Sequence, residues 1–208
     1  MKSTPATRRY SQGARAQSAL DTARRIVGAF LSLLMTQWFD EITLDRVAAD
    51  AGVTVQTVVR RFGGKEGLLA ASVKTLSGRI HAQRATPQGD IARLAANVIA
   101  DYEQTGDAVI RLLALEPRHP ALKQVLDFGR REHRNWVAAA FSQMLGALHA
   151  PARERAIDAL VTVTDVYVWK LLRRDMGRSV PAATATLKRL IHATITEFSA
   201  KPHSGETP

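Results

Sequence analysis

From Thr43 to Leu69 the chain reads TLDRVAADAGVTVQTVVRRFGGKEGLL. The side chains there with chemistry to offer outward are Thr54, Val55, Gln56, Thr57, Val59, Arg60, Arg61 and Lys65, preceded by Thr43. Their chemistry is that of recognition. A glutamine amide pairs with N6 and N7 of an adenine, valine meets a thymine methyl, and arginine reaches a guanine or a phosphate. Threonine bonds to a base or a phosphate. Gln56 is the best direct reader, with Val55 and Val59 limited to apolar contact. Thr43, Arg60, Arg61 and Lys65 suit backbone phosphates, Arg60 being the arginine better placed for a guanine.

Local physics supplies elements to hold these groups. Thr43 caps a short helix and Asp45 lies in its first turn, where the dipole favours an anion. Leu44, Val47 and Ala48 share one face of that helix. Gly52 ends it in the left-handed conformation that glycine adopts without steric cost. Thr54 caps a second helix, with Val58 and Phe62 as its inner stripe. Two short helices across a glycine turn make a helix-turn-helix, whose second helix enters the DNA major groove.

This stretch resembles the DNA-binding segment of the TetR family of transcriptional regulators. The matching residues are Thr43, Val47-Ala48, Gly52-Val53, Thr57, Arg60, Phe62, Lys65-Glu66 and Leu68-Leu69. There are departures. Val59 and Arg61 stand where the family's pattern has aromatic residues, and Asp45 occupies a slot that is often basic. The resemblance implies a ligand-responsive regulator, a repressor, which binds a palindromic duplex operator as a homodimer and is released by a small molecule. It implies a cytoplasmic protein, with no cofactor, metal or catalytic residue. Lys65 heads a fourth helix, where a phosphate would meet both its ammonium and free backbone N–H groups.

Composition agrees. The 208 residues contain no cysteine, so there is no disulfide, thiolate metal site or cysteine nucleophile. The apolar run from Ile26 to Met35 is too short to span a bilayer, so no membrane partner is expected. The net charge is +10. Residues 1–89 hold 13 Lys/Arg against 6 Asp/Glu, and residues 90–208 hold 16 against 13. A basic N-terminal part suits a phosphate backbone. No Gly-rich phosphate loop, HExxH pair or serine elbow is present, which removes the enzyme reading. The alternative is an all-α basic interaction module that binds another protein or an anionic surface without reading sequence.

The periodicity is helical throughout, so the expected fold is all-α: a helix-turn-helix DNA-binding domain, then a larger helical domain for ligand binding and dimerisation. Residues 1–17 read as a flexible basic arm whose Arg8, Arg9 and Arg15 suit a minor groove. The DNA-binding domain covers 18–86, beginning with a helix from Ser18 to Trp38 whose inner stripe includes Leu20 and Trp38. Thr86 to Asp90 marks the boundary. The second domain covers 90–200, and 201–208 form a flexible tail. Helices are expected over 91–102, 109–115, 120–148, 151–175 and 181–198, with Gly106 as a break. Extra apolar residues on the last two helices suggest a dimer face of Val163, Tyr167, Leu187, Leu190, Ile191 and Phe198. Tyr102, His133, Trp136, Asp165 and Trp169 are the candidate lining of a ligand pocket.

Overall fold

The structure is a computed structural model that describes residues 5–199, with side chains from residue 16. Among the described residues there are helices and no strand. The chain divides into two compact units, Met1–Thr75 and Leu76–Pro208. This is an all-α fold, with an N-terminal helix-turn-helix domain followed by a larger helical domain.

In the first unit α1 (Pro5–Leu34) is followed by a 3-10 turn at Phe39–Glu41, α2 (Leu44–Ala51) and α3 (Val55–Phe62). The long α4 (Lys65–Arg84) begins here and continues past the division. α1 packs on α2 and α2 on α3. Ile26, Phe30, Phe39, Ile42, Val47, Val58, Leu68 and Leu69 form the core, each at most 3% exposed. Phe30 meets Phe39 edge to face, with ring centres 6.5 Å apart.

Two expectations fail in α1. The helix begins at Pro5, so residues 5–17 are helical rather than an arm. Pro5 suits a first turn, and the Ala, Arg and Gln residues that follow are good helix formers. The positions expected at 1–4 and 201–208 lie outside the described residues. At its other end α1 stops at Leu34, so Trp38 leaves the helical register and is 40% exposed while Phe39 turns inward. Leu20 is 55% exposed, because the packed face of α1 starts only near Ile26.

The second unit contains α5 (Ile91–Leu115), α6 (Pro120–Ala140), α7 (Ser142–Gly146), α8 (Ala150–Val163), α9 (Val166–Lys170) with a π-helical turn at Leu171–Asp175, and α10 (Val180–Ser199). α10 packs on α5 and α8, α9 on α5, and α6 on α8. α5 is unbroken through Gly106, because the indole of Trp169 packs where a side chain would be. The expected helix over 120–148 divides at Phe141, and that over 151–175 at Thr164-Asp165. At the second break the Thr164 hydroxyl donates to the Leu160 carbonyl at 2.7 Å, and Asp165 then caps α9. Leu187 and Ile191, expected at a dimer face, are 2% and 0% exposed and belong to the core of this unit. Their spacing on α10 matches the inner stripe, and the sequence alone does not say which of two apolar stripes goes inside.

Candidate nucleic-acid interface

The helix-turn-helix forms as its sequence dictates. The Thr43 hydroxyl accepts from the Arg46 amide at 3.2 Å, capping α2. Gly52 has φ 62. Its amide donates to Ala49 at 3.1 Å and that of Val53 to Ala48 at 2.9 Å, the paired bonds of a Schellman ending. Thr54 then caps α3 by accepting from the Thr57 amide at 3.3 Å, and the two hydroxyls are 3.0 Å apart. One buried side chain, Val58, anchors α3, while Gln56, Val59, Arg60 and Arg61 are exposed and Val55, Thr57 and Phe62 half-buried. The outer face of α3 thus carries an amide, valines and two guanidiniums. Arg61 reaches back to α1, donating to the Ala19 carbonyl at 3.0 Å. Arg46, one turn into α2, is clasped by Asp50 at 3.0 Å.

Lys65 does not face outward as expected. Its ammonium donates to the carbonyls of Phe39 (3.0 Å), Asp40 (3.3 Å) and Ile42 (3.1 Å). It also lies 4.6 Å from the centre of the Phe39 ring. An ammonium has three protons, and here all three are engaged by the segment joining α1 to α2. Lys65 holds that segment in place and has no proton left for a phosphate.

The candidate pocket residues of the second unit meet only in part, around two groups the sequence analysis missed. Arg84, 5% exposed, donates through Nε to the carboxylate of Asp101, 1% exposed, at 2.9 Å. Its guanidinium carbon lies 4.8 Å from the Tyr102 ring centre and 4.9 Å from that of Trp136. A further N–H of Arg84 is 3.2 Å from Nδ1 of His133, and Nε2 of His133 is 3.1 Å from the Thr164 hydroxyl. An arginine donates only, so Nδ1 accepts and the imidazole proton sits on Nε2. Burial, and then the nearby Arg84 charge, push the His133 pKa down to about 4. The Tyr102 hydroxyl donates to the Thr164 carbonyl at 3.2 Å.

Trp169 and Asp165 serve elsewhere. The indole N–H of Trp169 donates to Glu103 at 2.7 Å. The same carboxylate accepts from Arg173, whose bond holds it below the usual carboxylate range. Asp165 accepts from the Tyr167 amide at 2.9 Å, while burial pushes its pKa up. The gap bounded by Tyr102, Thr164, Asp165 and Trp169 has no room for a water molecule. These residues therefore frame a packed polar core and not an open pocket. The signal for it lay in the stripe Leu94, Val98, Asp101, Thr105, which puts an acid on the inner face of α5.

Three comparisons bear on identity. Residues 26–72 match the family described as bacterial regulatory proteins, tetR family. No curated protein matches the chain. Solved structures do. A transcriptional regulator from Rhodococcus sp. Rha1 is similar at 16% identity, over 86% of this chain and 99% of that one, with a TM-score of 0.67. A tetR-family transcriptional regulator from Streptomyces coelicolor is similar at 18% identity, over 86% and 82%, with a TM-score of 0.68. A TetR transcription regulator from Haloarcula marismortui is similar at 16% identity, over 85% and 97%, with a TM-score of 0.57. Residues 26–72 of this chain are thus a helix-turn-helix domain of the tetR family, carried on the all-helical fold of TetR-family regulators.

Proposed function

We propose that the chain is a cytoplasmic transcriptional repressor that binds a palindromic duplex operator as a homodimer and is released by a small-molecule effector. Residues 18–86 bind the DNA, and residues 90–200 carry the effector site and the dimer face. The observation that supports this best is α3 itself: a helix capped at both ends, with one buried anchor and an exposed face of Gln56, Val59 and Arg60. Gln56 reads an adenine, and Val55 and Val59 meet thymine methyls. Thr54 and Thr57 stand at the head of the helix, beside base or phosphate. Arg60, Arg61 and Thr43 hold phosphates.

One helix-turn-helix reads few base pairs, so a second copy is needed to span successive major grooves. The exposed apolar residues Tyr167, Leu171 and Leu190, at 57%, 51% and 38%, with half-buried Val163, supply a face for that copy. Leu190→Glu should convert dimer to monomer in sedimentation and weaken operator binding with it.

The reading is tested with Gln56→Ala on the operator and on each single-base variant. The expected result is a loss of roughly 1–3 kcal/mol at one base pair and relaxed choice there. An equal loss on every variant would mean that Gln56 reads no base. Binding that vanishes under nonspecific competitor DNA would favour a basic interaction module instead.

A further inference from the structure

One end of the second unit contains a cavity that takes no part in the interface above. It lies among the Pro87–Asp90 loop, the end of α6, α7, the start of α8 and the last turn of α10. Its volume is about 950 Å³. Leu94 and Phe141 are buried in its wall, and Ile91, Met144, Leu148 and Phe198 line it half-buried, Phe198 standing here and not with the exposed Tyr167, Leu171 and Leu190 of the proposed dimer face. Small-molecule pockets run to roughly 300–1,000 Å³ and are mostly apolar. Met144 adds an unbranched side chain that adapts to irregular shapes.

The charges at the edge decide the class of occupant. They are Arg155 against Asp90 and Glu197, all three exposed. Asp90 is already committed to capping α5, accepting from the Arg93 amide at 3.0 Å. No buried charge of either sign stands ready for an ion, and taking an unpaired ion off water is costly. Residues 200–208 are a poor filler. After Ser199, which lines the cavity, the sequence is Ala-Lys-Pro-His-Ser-Gly-Glu-Thr-Pro, without a large apolar side chain. A second copy is equally unsuited, since a two-fold contact needs one self-complementary patch and this one is concave.

We propose that this cavity binds a small, uncharged, apolar molecule. The binding step is independent of DNA, and only the molecule's part as effector rests on the function proposed above.

The test is calorimetric titration of the full chain with decanol, beside decanoate and decylammonium. Decanol should bind one site per chain and more tightly than either ion. Met144→Trp and Leu148→Trp, which fill the cavity from its edge, should each weaken decanol by about tenfold or more. Both variants should keep the wild-type helical spectrum, and Tyr167→Ala should bind as wild type does. No decanol binding, binding unchanged by both fillings, or preference for either ion would overturn the proposal. So would decanol binding seen only when the chain is ended at Ser199, or a loss of dimer in the filled variants. Operator affinity is read on the same samples. Decanol that binds without moving it leaves the site standing and removes the effector role; failure to bind DNA at all defeats only the proposed function.

Discussion

A Cβ built on Gly106 would fall 2.4 Å from the six-membered ring of Trp169. The indole lies against bare backbone in the middle of α5, and no side chain fits between them. Gly106→Ala should therefore destabilise the protein by about 1–3 kcal/mol, the usual cost of overpacking. Gly78 in α4 has nothing within 4 Å of the same position. Gly78→Ala should stabilise by about 0.5–1 kcal/mol. Urea midpoints of the two variants give the comparison.

Asp101 and Arg84 form a buried pair, and its two halves are not equivalent to its absence. Asp101→Ala strands a guanidinium between two aromatic rings and should cost about 3–5 kcal/mol. Replacing both, with Asp101→Leu and Arg84→Met, should recover most of that loss. Denaturant unfolding of Asp101→Leu, Arg84→Met and the double variant reads the coupling directly.

His133 makes stability depend on pH in a defined window. Its pKa is about 4 folded, against 6.5 in an unfolded chain. The folded state therefore resists a proton that the unfolded state accepts. Its contribution is fully present above pH 6.5, falls as pH drops, and is lost on passing through pH 4. The total is about 3 kcal/mol. His133→Gln should flatten that part of the curve in urea titrations from pH 4 to pH 7.

Lys65→Ala separates anchoring from DNA contact. It leaves the Phe39 and Ile42 carbonyls without their ammonium and should cost about 1–3 kcal/mol of stability. The salt dependence of operator binding, measured where the variant is folded, should not change. Arg60→Ala should do the reverse, lowering the slope by about 1 with little effect on melting.

The parts of this molecule that were legible in its sequence are the local ones. Thr43, Gly52 and Thr54 act within four residues of themselves, so caps and turn follow from residue type alone. Lys65 was misassigned because its partners stand 23–26 residues back, and its position at a helix start suggested phosphate just as strongly. Gly106 read as a break because a glycine's helix propensity is visible in sequence and an indole arriving from Trp169 is not. The core of the second unit shows the same limit. Tyr102, His133 and Trp136 were identified by type, but Arg84 and Asp101, which bind them together, are common surface residues. Leu187 and Ile191 were correctly apolar and assigned to the wrong side of α10.

The bonds that close the two units differ in reach along the chain, and this sets the order in which a growing chain can complete them. In the helix-turn-helix unit the bonds from Lys65 to Phe39 and from Arg61 to Ala19 reach back 26 and 42 residues. α5 must wait for Thr164, Trp169, Arg174 and Arg173, which lie 62, 66, 67 and 70 residues downstream of their partners. During synthesis the reading head can therefore be complete while Val98, Tyr102 and Gly106 still lack their cover. A ribosome that stalls between Leu115 and Thr164 leaves the helix-turn-helix unit tethered to an uncovered apolar helix, a species prone to aggregate.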